Sequence, residues 1–152
     1  MKMWGVLLVC CVIGSVFAGS PDNRVKNRLD SRDFKYKITD SGDFRIIVEL
    51  DNGRTQLLFV NSETETLNNM EIREVWSVGY KGSMTAAVMR NMLRRSEKLK
   101  IGAWGINEAG DRGYFTAKIP ANLETDDLIK VIFVVGEAAD ELEKDVVGTD
   151  DL

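Results

Sequence analysis

Apolar and polar residues alternate with a period of two over much of residues 34–80, a pattern typical of strands that bury one face. Four runs can be separated, over residues 34–39, 44–50, 55–60 and 72–80. Turn-forming residues separate the first three runs, and the Asn-Gly pair at 52–53 is a strong hairpin signal. A polar loop is expected over 61–69. The short connections predict that the four strands are antiparallel.

After residue 82 the spacing of the apolar residues changes from the strand period to the helix period. Ser83 is expected to be the N-cap of a helix that has basic residues near its end. Two further strands are predicted over 99–106 and 113–119, and Pro120 ends the second. A last helix is expected to be capped by Thr125. Its apolar stripe comprises Leu128, Val131, Ile132, Val135, Ala138, Ala139, Leu142 and Val146.

These elements predict one α+β domain over residues 34–147, in the order of four strands, a helix, two strands and a helix. A polar segment, 19–33, precedes the domain, and Val25 and Leu29 are spaced for a short helix there. An acidic tail, 148–152, follows. Residues 129–135 are rich in β-branched side chains and would also suit a buried strand, but the long stripe favours a helix.

Residues 1–18 have the composition of a secretory leader. Lys2 is followed by an apolar run over 4–16, and Val16 and Ala18 fit the small-residue pattern of a cleavage site. The run is shorter than the about 20 apolar residues that cross a bilayer, so no stable membrane anchor is expected. We therefore expect cleavage near Ala18 and a secreted or periplasmic product.

Cleavage would remove both cysteines, and the chain has no histidine. A protein without these residues cannot build a Cys or His nucleophile with its base, or an ordinary zinc site. The net charge of −4 argues against nucleic acid and anionic membranes, which are bound largely through Lys and Arg. A protein or peptide partner is expected, with no cofactor.

Five residues are candidates for partner binding: Trp76, Tyr80, Trp104, Arg90 and Arg94. Exposed aromatic side chains on a sheet make rigid contacts at interfaces, and Trp104 is expected on the less buried face of its strand. The two arginines belong to a basic cluster that would suit an acidic partner. The alternative is that the aromatic residues fill the core and the cluster is a solvated helix end.

Two other sets of residues would suit catalysis or metal binding. Glu49 and Glu74 are the two carboxylates that a glycosidase would need, which leaves open a carboxylate-based envelope hydrolase. The aspartates Asp40, Asp43 and Asp51 would suit a divalent cation, although turns use Asp for their own backbone. With no catalytic motif present, we expect a non-enzymatic binding module without a metal. A structural envelope protein is a further alternative.

Five blocks carry a family resemblance, namely the hairpin 43–60 and residues 71–77, 98–104, 117–121 and 138–144. They resemble the bacterial YbjN family, whose members are labelled sensory transduction regulators. That family is similar in fold to type III secretion chaperones, so the resemblance implies helices on one side of a curved antiparallel sheet. It also implies partner binding and pairing into a homodimer.

Overall fold

The computed structural model describes residues 19–50, 53–148 and 150–152; the predicted leader and Asp51 lie outside these residues. The fold is α+β, in the predicted order. The elements are α1 (Asn23–Asp30), β1 (Tyr36–Ile38), β2 (Phe44–Glu49), β3 (Thr55–Leu67), β4 (Met70–Lys81), α2 (Ala86–Lys98), β5 (Ala103–Ile106), β6 (Arg112–Pro120) and α3 (Thr125–Val146).

The six strands form one antiparallel sheet in the order β1-β2-β3-β4-β6-β5. The two edge strands are short, with three residues in β1 and four in β5. Short edges leave few unpaired backbone groups for unwanted strand pairing. The long central strands β3, β4 and β6 carry the face on which the helices pack.

The expected polar loop over 61–69 is wrong. β3 continues to Leu67 and β4 begins at Met70, so only two residues form the turn, with Asn68 at a φ of 55°. A register shift between Val60 and Thr64 introduces a bulge. Most residues at this end of the hairpin are exposed, so burial contributes little there and the backbone hydrogen bonds between the two strands hold it.

The helices cover one face of the sheet. Along α3 the predicted stripe is confirmed, with all its residues buried except Val146, which is half-buried. Two predicted caps are wrong. Thr85, not Ser83, caps α2 by accepting a hydrogen bond from the Val88 amide, and α3 begins at Thr125 after Glu124, whose side chain makes no capping bond.

The predicted N-terminal helix is confirmed as α1, and Val25 and Leu29 are its buried residues. Its N-cap, Asp22, accepts a hydrogen bond from the Arg24 amide at 2.7 Å. The Asp22 carboxylate also forms a 2.5 Å ion pair with the buried Arg73 on β4. The Arg24 guanidinium binds Glu71 at 2.6 Å. These contacts fasten α1 to the end of the β3–β4 hairpin.

The ion pairs of α1 are expected to make the fold sensitive to acid. Burial alone would raise the pKa of Asp22, but its bonds to Arg24 and Arg73 outweigh burial and hold that pKa well below its ordinary value. The hydrogen bond from Arg24 lowers the pKa of Glu71 from 4.5 to about 2. Both groups bind protons less readily in the folded chain, so stability present above pH 4.5 is lost as the pH falls towards 2.

Urea unfolding at a series of pH values measures this loss. Glu71→Gln should give a shallower dependence between pH 4.5 and 2 than the unchanged chain. Glu108→Gln is the control, because Glu108 is exposed in the turn between β5 and β6, at the opposite end of β6 from the residue that pairs with Ile72. Equal slopes for the two variants would contradict a role for the Arg24–Glu71 pair.

Candidate binding surfaces

The face of the sheet opposite the helices is open and carries a cross-strand aromatic pair. Phe59 on β3 lies opposite Trp76 on β4, and their rings stack at 4.4 Å between centroids with a 17° interplanar angle. The Trp76 indole N–H donates to Asn61 Oδ1 at 2.9 Å. The ring pair is thus held in one orientation while both side chains stay half-buried.

The stacked pair lies in a groove of about 480 Å³, which we call the sheet groove. Its apolar lining comes from three neighbouring strands and comprises Leu57, Phe59, Trp76, Val78 and Tyr114. Polar and charged residues surround it, namely Glu74, Lys81, Asn107, Arg112 and Thr116. An apolar groove with a few polar groups at its border is the usual form of a binding site.

Phe59 and Tyr114 are absent from the predicted binding residues. Strand pairing identifies them, because residues that pair across neighbouring strands point to the same face of the sheet. Phe59 pairs with Trp76, and Tyr114 pairs with Val78. The pairing of Phe59 with Trp76 can be worked out only if β3 is known to continue through the bulge. The sequence hides this continuation, because residues 61–69 are polar enough to resemble a loop.

The acidic tail folds back onto the domain. Arg54 donates to Asp140 at 2.5 Å, and its Nη2 lies 3.5 Å from Glu143 Oε2 and 3.7 Å from Asp150 Oδ1. The Asp151 amide donates to Glu143 Oε1 at 2.8 Å. Burial raises the pKa of Glu143. These contacts bring Leu152 to the border of the sheet groove.

Within the described residues, the structure brings together the carboxylates around Arg54. One carboxylate oxygen from each of Asp140, Glu143 and Asp150 lies within 4.8 Å of the others. The Arg54 guanidinium supplies the positive charge among them. Of the aspartates considered for a cation, Asp43 accepts bonds from the Ser62 amide and the Ser41 hydroxyl within its own hairpin.

A second groove, which we call the helix groove, lies between α2 and α3 and has a volume of about 510 Å³. It brings together three predicted binding residues, Arg90, Arg94 and Trp104. The rest of its lining comprises Ala87, Asn91, Arg95, Lys98, Leu99, Ala138 and Glu141. Trp76 lies apart from these three, on the opposite face of the sheet.

The expectation that Trp104 lies on a less buried face is wrong, because its side chain is only 9% exposed. Alternation does not run from Leu99 to Trp104, since β5 begins at Ala103 and Gly102 before it has a φ of 77°. Trp104 therefore shares the helix face with its partner Phe115. Its indole N–H has no hydrogen-bond partner among the described residues.

Tyr80 joins neither groove. A register irregularity between Val78 and Tyr80 places Tyr80 opposite Gly113, and its ring packs against the core. Its hydroxyl donates to the Ser83 carbonyl at 3.1 Å. The neighbouring Gly79 lies where α3 approaches β4, since a Cβ built there would be 2.7 Å from the Ala139 carbonyl oxygen.

The two glutamates considered for hydrolysis are far apart. Glu49 on β2 pairs with Thr55 on β3. Leu58 pairs with Ser77, so Thr55, three residues earlier on the antiparallel β3, lies opposite position 80 of β4. Glu74 is thus six residues further along the sheet, or about 20 Å at 3.3 Å per residue. Glycosidase carboxyl groups are about 5 to 9.5 Å apart, so this pair does not form such a site.

No protein-family model matches this chain, and no similar sequence is found among curated proteins. Of the helices in the described part of the chain, none has an apolar stretch sufficient to cross a membrane.

Proposed function

We propose that this chain is a binding module that holds an apolar segment of a protein or peptide partner in the sheet groove, without covalent chemistry. The observation that carries this proposal is the stacked Phe59–Trp76 pair, half-buried on a sheet face that the helices leave uncovered. Aromatic side chains fixed before binding lose little conformational entropy when a partner arrives, which makes them effective contact residues.

Two sequence observations support the same proposal. The blocks that resemble the YbjN family imply a partner-binding role on an antiparallel sheet with helices on one side, and we propose membership of that family. The leader-like residues 1–18 support export, so we propose that the partner is met in the periplasm or outside the cell.

Selection of peptides from a random displayed library tests the proposal. We expect the enriched peptides to be rich in aromatic and aliphatic residues, because the groove lining is apolar. A selected peptide should bind Trp76→Ala more than tenfold more weakly than the unchanged chain in calorimetric titration, since removal of a central tryptophan at an interface costs about 2 kcal/mol or more.

Leu93→Ala is the matched control. Leu93 is a large apolar residue with 68% exposure on α2, outside the sheet groove, so its removal should leave the affinity unchanged. Equal affinity of the selected peptide for Trp76→Ala and for the unchanged chain would overturn the proposed use of the sheet groove. Light scattering of the same samples shows whether a second copy competes for this face.

A further inference from the structure

The helix groove has a row of cations along one wall. Arg90, Arg94 and Lys98 follow one another at four-residue spacing on α2, so they repeat about every 6 Å along the helix. All three are exposed, and none forms an ion pair within the described part of the chain.

The carboxylates of the opposite wall are already neutralised. Arg95 lies 3.3 Å from Glu141 and also pairs with Asp145, both on α3. These contacts use the charge of Arg95, whereas Arg90, Arg94 and Lys98 form no ion pair in the described part of the chain. An anionic ligand would therefore be attracted to the α2 side of the groove.

The floor of the groove is apolar. Leu99, Trp104 and Ala138 line it, and the Trp104 indole N–H is buried without a partner in the described residues. A buried donor without a hydrogen bond costs free energy. The groove thus combines a charged wall with an apolar floor to which Trp104 belongs.

We propose that the helix groove binds an extended acidic peptide segment that has carboxylates on alternate residues and small apolar residues between them. Alternate residues of an extended chain repeat at about 6.6 Å, close to the spacing of the cations on α2. This interaction is additional to the proposed function, because it uses a different surface and different residues.

A narrow peptide suits this site better than a broad anionic surface. The exposed residues Glu97 on α2 and Glu137 on α3 lie on the same two helices as the cations. A flat membrane or a nucleic acid would have to approach these carboxylates together with the arginines, and would be repelled.

The test uses a fluorescein-labelled peptide of alternating Glu and Leu, with a Gln and Leu peptide as its matched control. The protein is the full chain with Trp4→Phe and Trp76→Phe, which retains Trp104 as the sole tryptophan. We expect saturable fluorescence anisotropy and a changed Trp104 emission with the Glu peptide. The Gln peptide should bind at least tenfold more weakly, and salt should weaken the binding of the Glu peptide.

Two variants of equal charge locate the site. Arg90→Gln with Arg94→Gln should reduce the affinity for the Glu peptide at least tenfold. Lys35→Gln with Lys37→Gln removes the same charge from exposed positions around β1 and should leave the affinity unchanged. Equal affinities of the two double variants would overturn the proposal, because the attraction would then come from net charge alone.

Two competitors separate peptide binding from simpler anion binding. Displacement of the Glu peptide by inorganic phosphate at equal concentration, or tighter binding of phosphatidylserine vesicles through the same arginines, would overturn the proposal. Trp76→Ala should bind the Glu peptide with unchanged affinity. This last measurement keeps a failure of the helix groove distinguishable from a failure of the sheet groove.

Discussion

Replacement of Arg73 with methionine is expected to lower the free energy of unfolding by about 3 to 5 kcal/mol, the usual cost of removing one partner of a buried ion pair. Arg73 is 1% exposed and is bonded to Asp22 and to the carbonyls of Asn61 and Ser62. Methionine has a similar length but no donor, so the carboxylate and both carbonyls would lose this partner. Urea unfolding at pH 7 measures the change.

Lys118→Met is the matched control for this substitution. Lys118 also pairs with a carboxylate, Glu74, at 3.0 Å, but its side chain is 61% exposed. An exposed pair contributes about 1 kcal/mol or less, so the control should stay close to the unchanged chain. A double-mutant cycle with Asp22→Ala separates the coupling of Arg73 and Asp22 from other losses. A loss below about 1 kcal/mol for Arg73→Met would contradict the described role.

Phe115→Ala is expected to cost about 3 to 5 kcal/mol, the usual loss when a buried phenylalanine is truncated. The Phe115 ring is fully buried and lies 5.6 Å from the Trp104 ring, between the sheet and the helices. Its removal would leave a cavity that rigid neighbours cannot close, since the central strands on either side are held by long ladders. Thermal and urea unfolding both report the loss.

Tyr114→Ala is the control, because Tyr114 is the neighbouring residue on the opposite face of β6. Its side chain is half-buried in the sheet groove, so truncation should cost about 1 kcal/mol in stability. The same variant should weaken the binding of peptides selected on the sheet groove. Equal losses of stability for the two variants would contradict the assignment of one face to the core and the other to binding.

Most elements could be predicted because their signals are local. Period-two alternation identified β2 and β4, and the long stripe identified α3 despite its β-branched residues. The end of the β3–β4 hairpin could not be predicted this way, because its strands are held by backbone bonds and its exposed side chains are free to be polar. The cap of α2 was displaced by two residues, since Ser83 and Thr85 are both good caps and only the path of the chain selects Thr85.

The candidate sites were predictable only in part. Arg90 and Arg94 share one wall because four-residue spacing places both on the same side of a helix. Trp76 lies on the open sheet face, but its stacking partner Phe59 lies beyond a bulge that the sequence does not show. Tyr80 and Trp104 were misplaced because an irregular register and a left-handed glycine interrupt the alternation.

The amino-acid order alone determined the order of the strands and helices, the apolar positions within their regular runs, and the absence of histidine. Tertiary structure decided that β6 lies between β4 and β5, that Trp104 faces the helices, and that Arg54 gathers carboxylates from α3 and the tail. The physical reason is distance along the chain. A period is a property of neighbouring residues, whereas burial and ion pairing depend on which elements meet, and Arg54 and Asp140 are 86 residues apart.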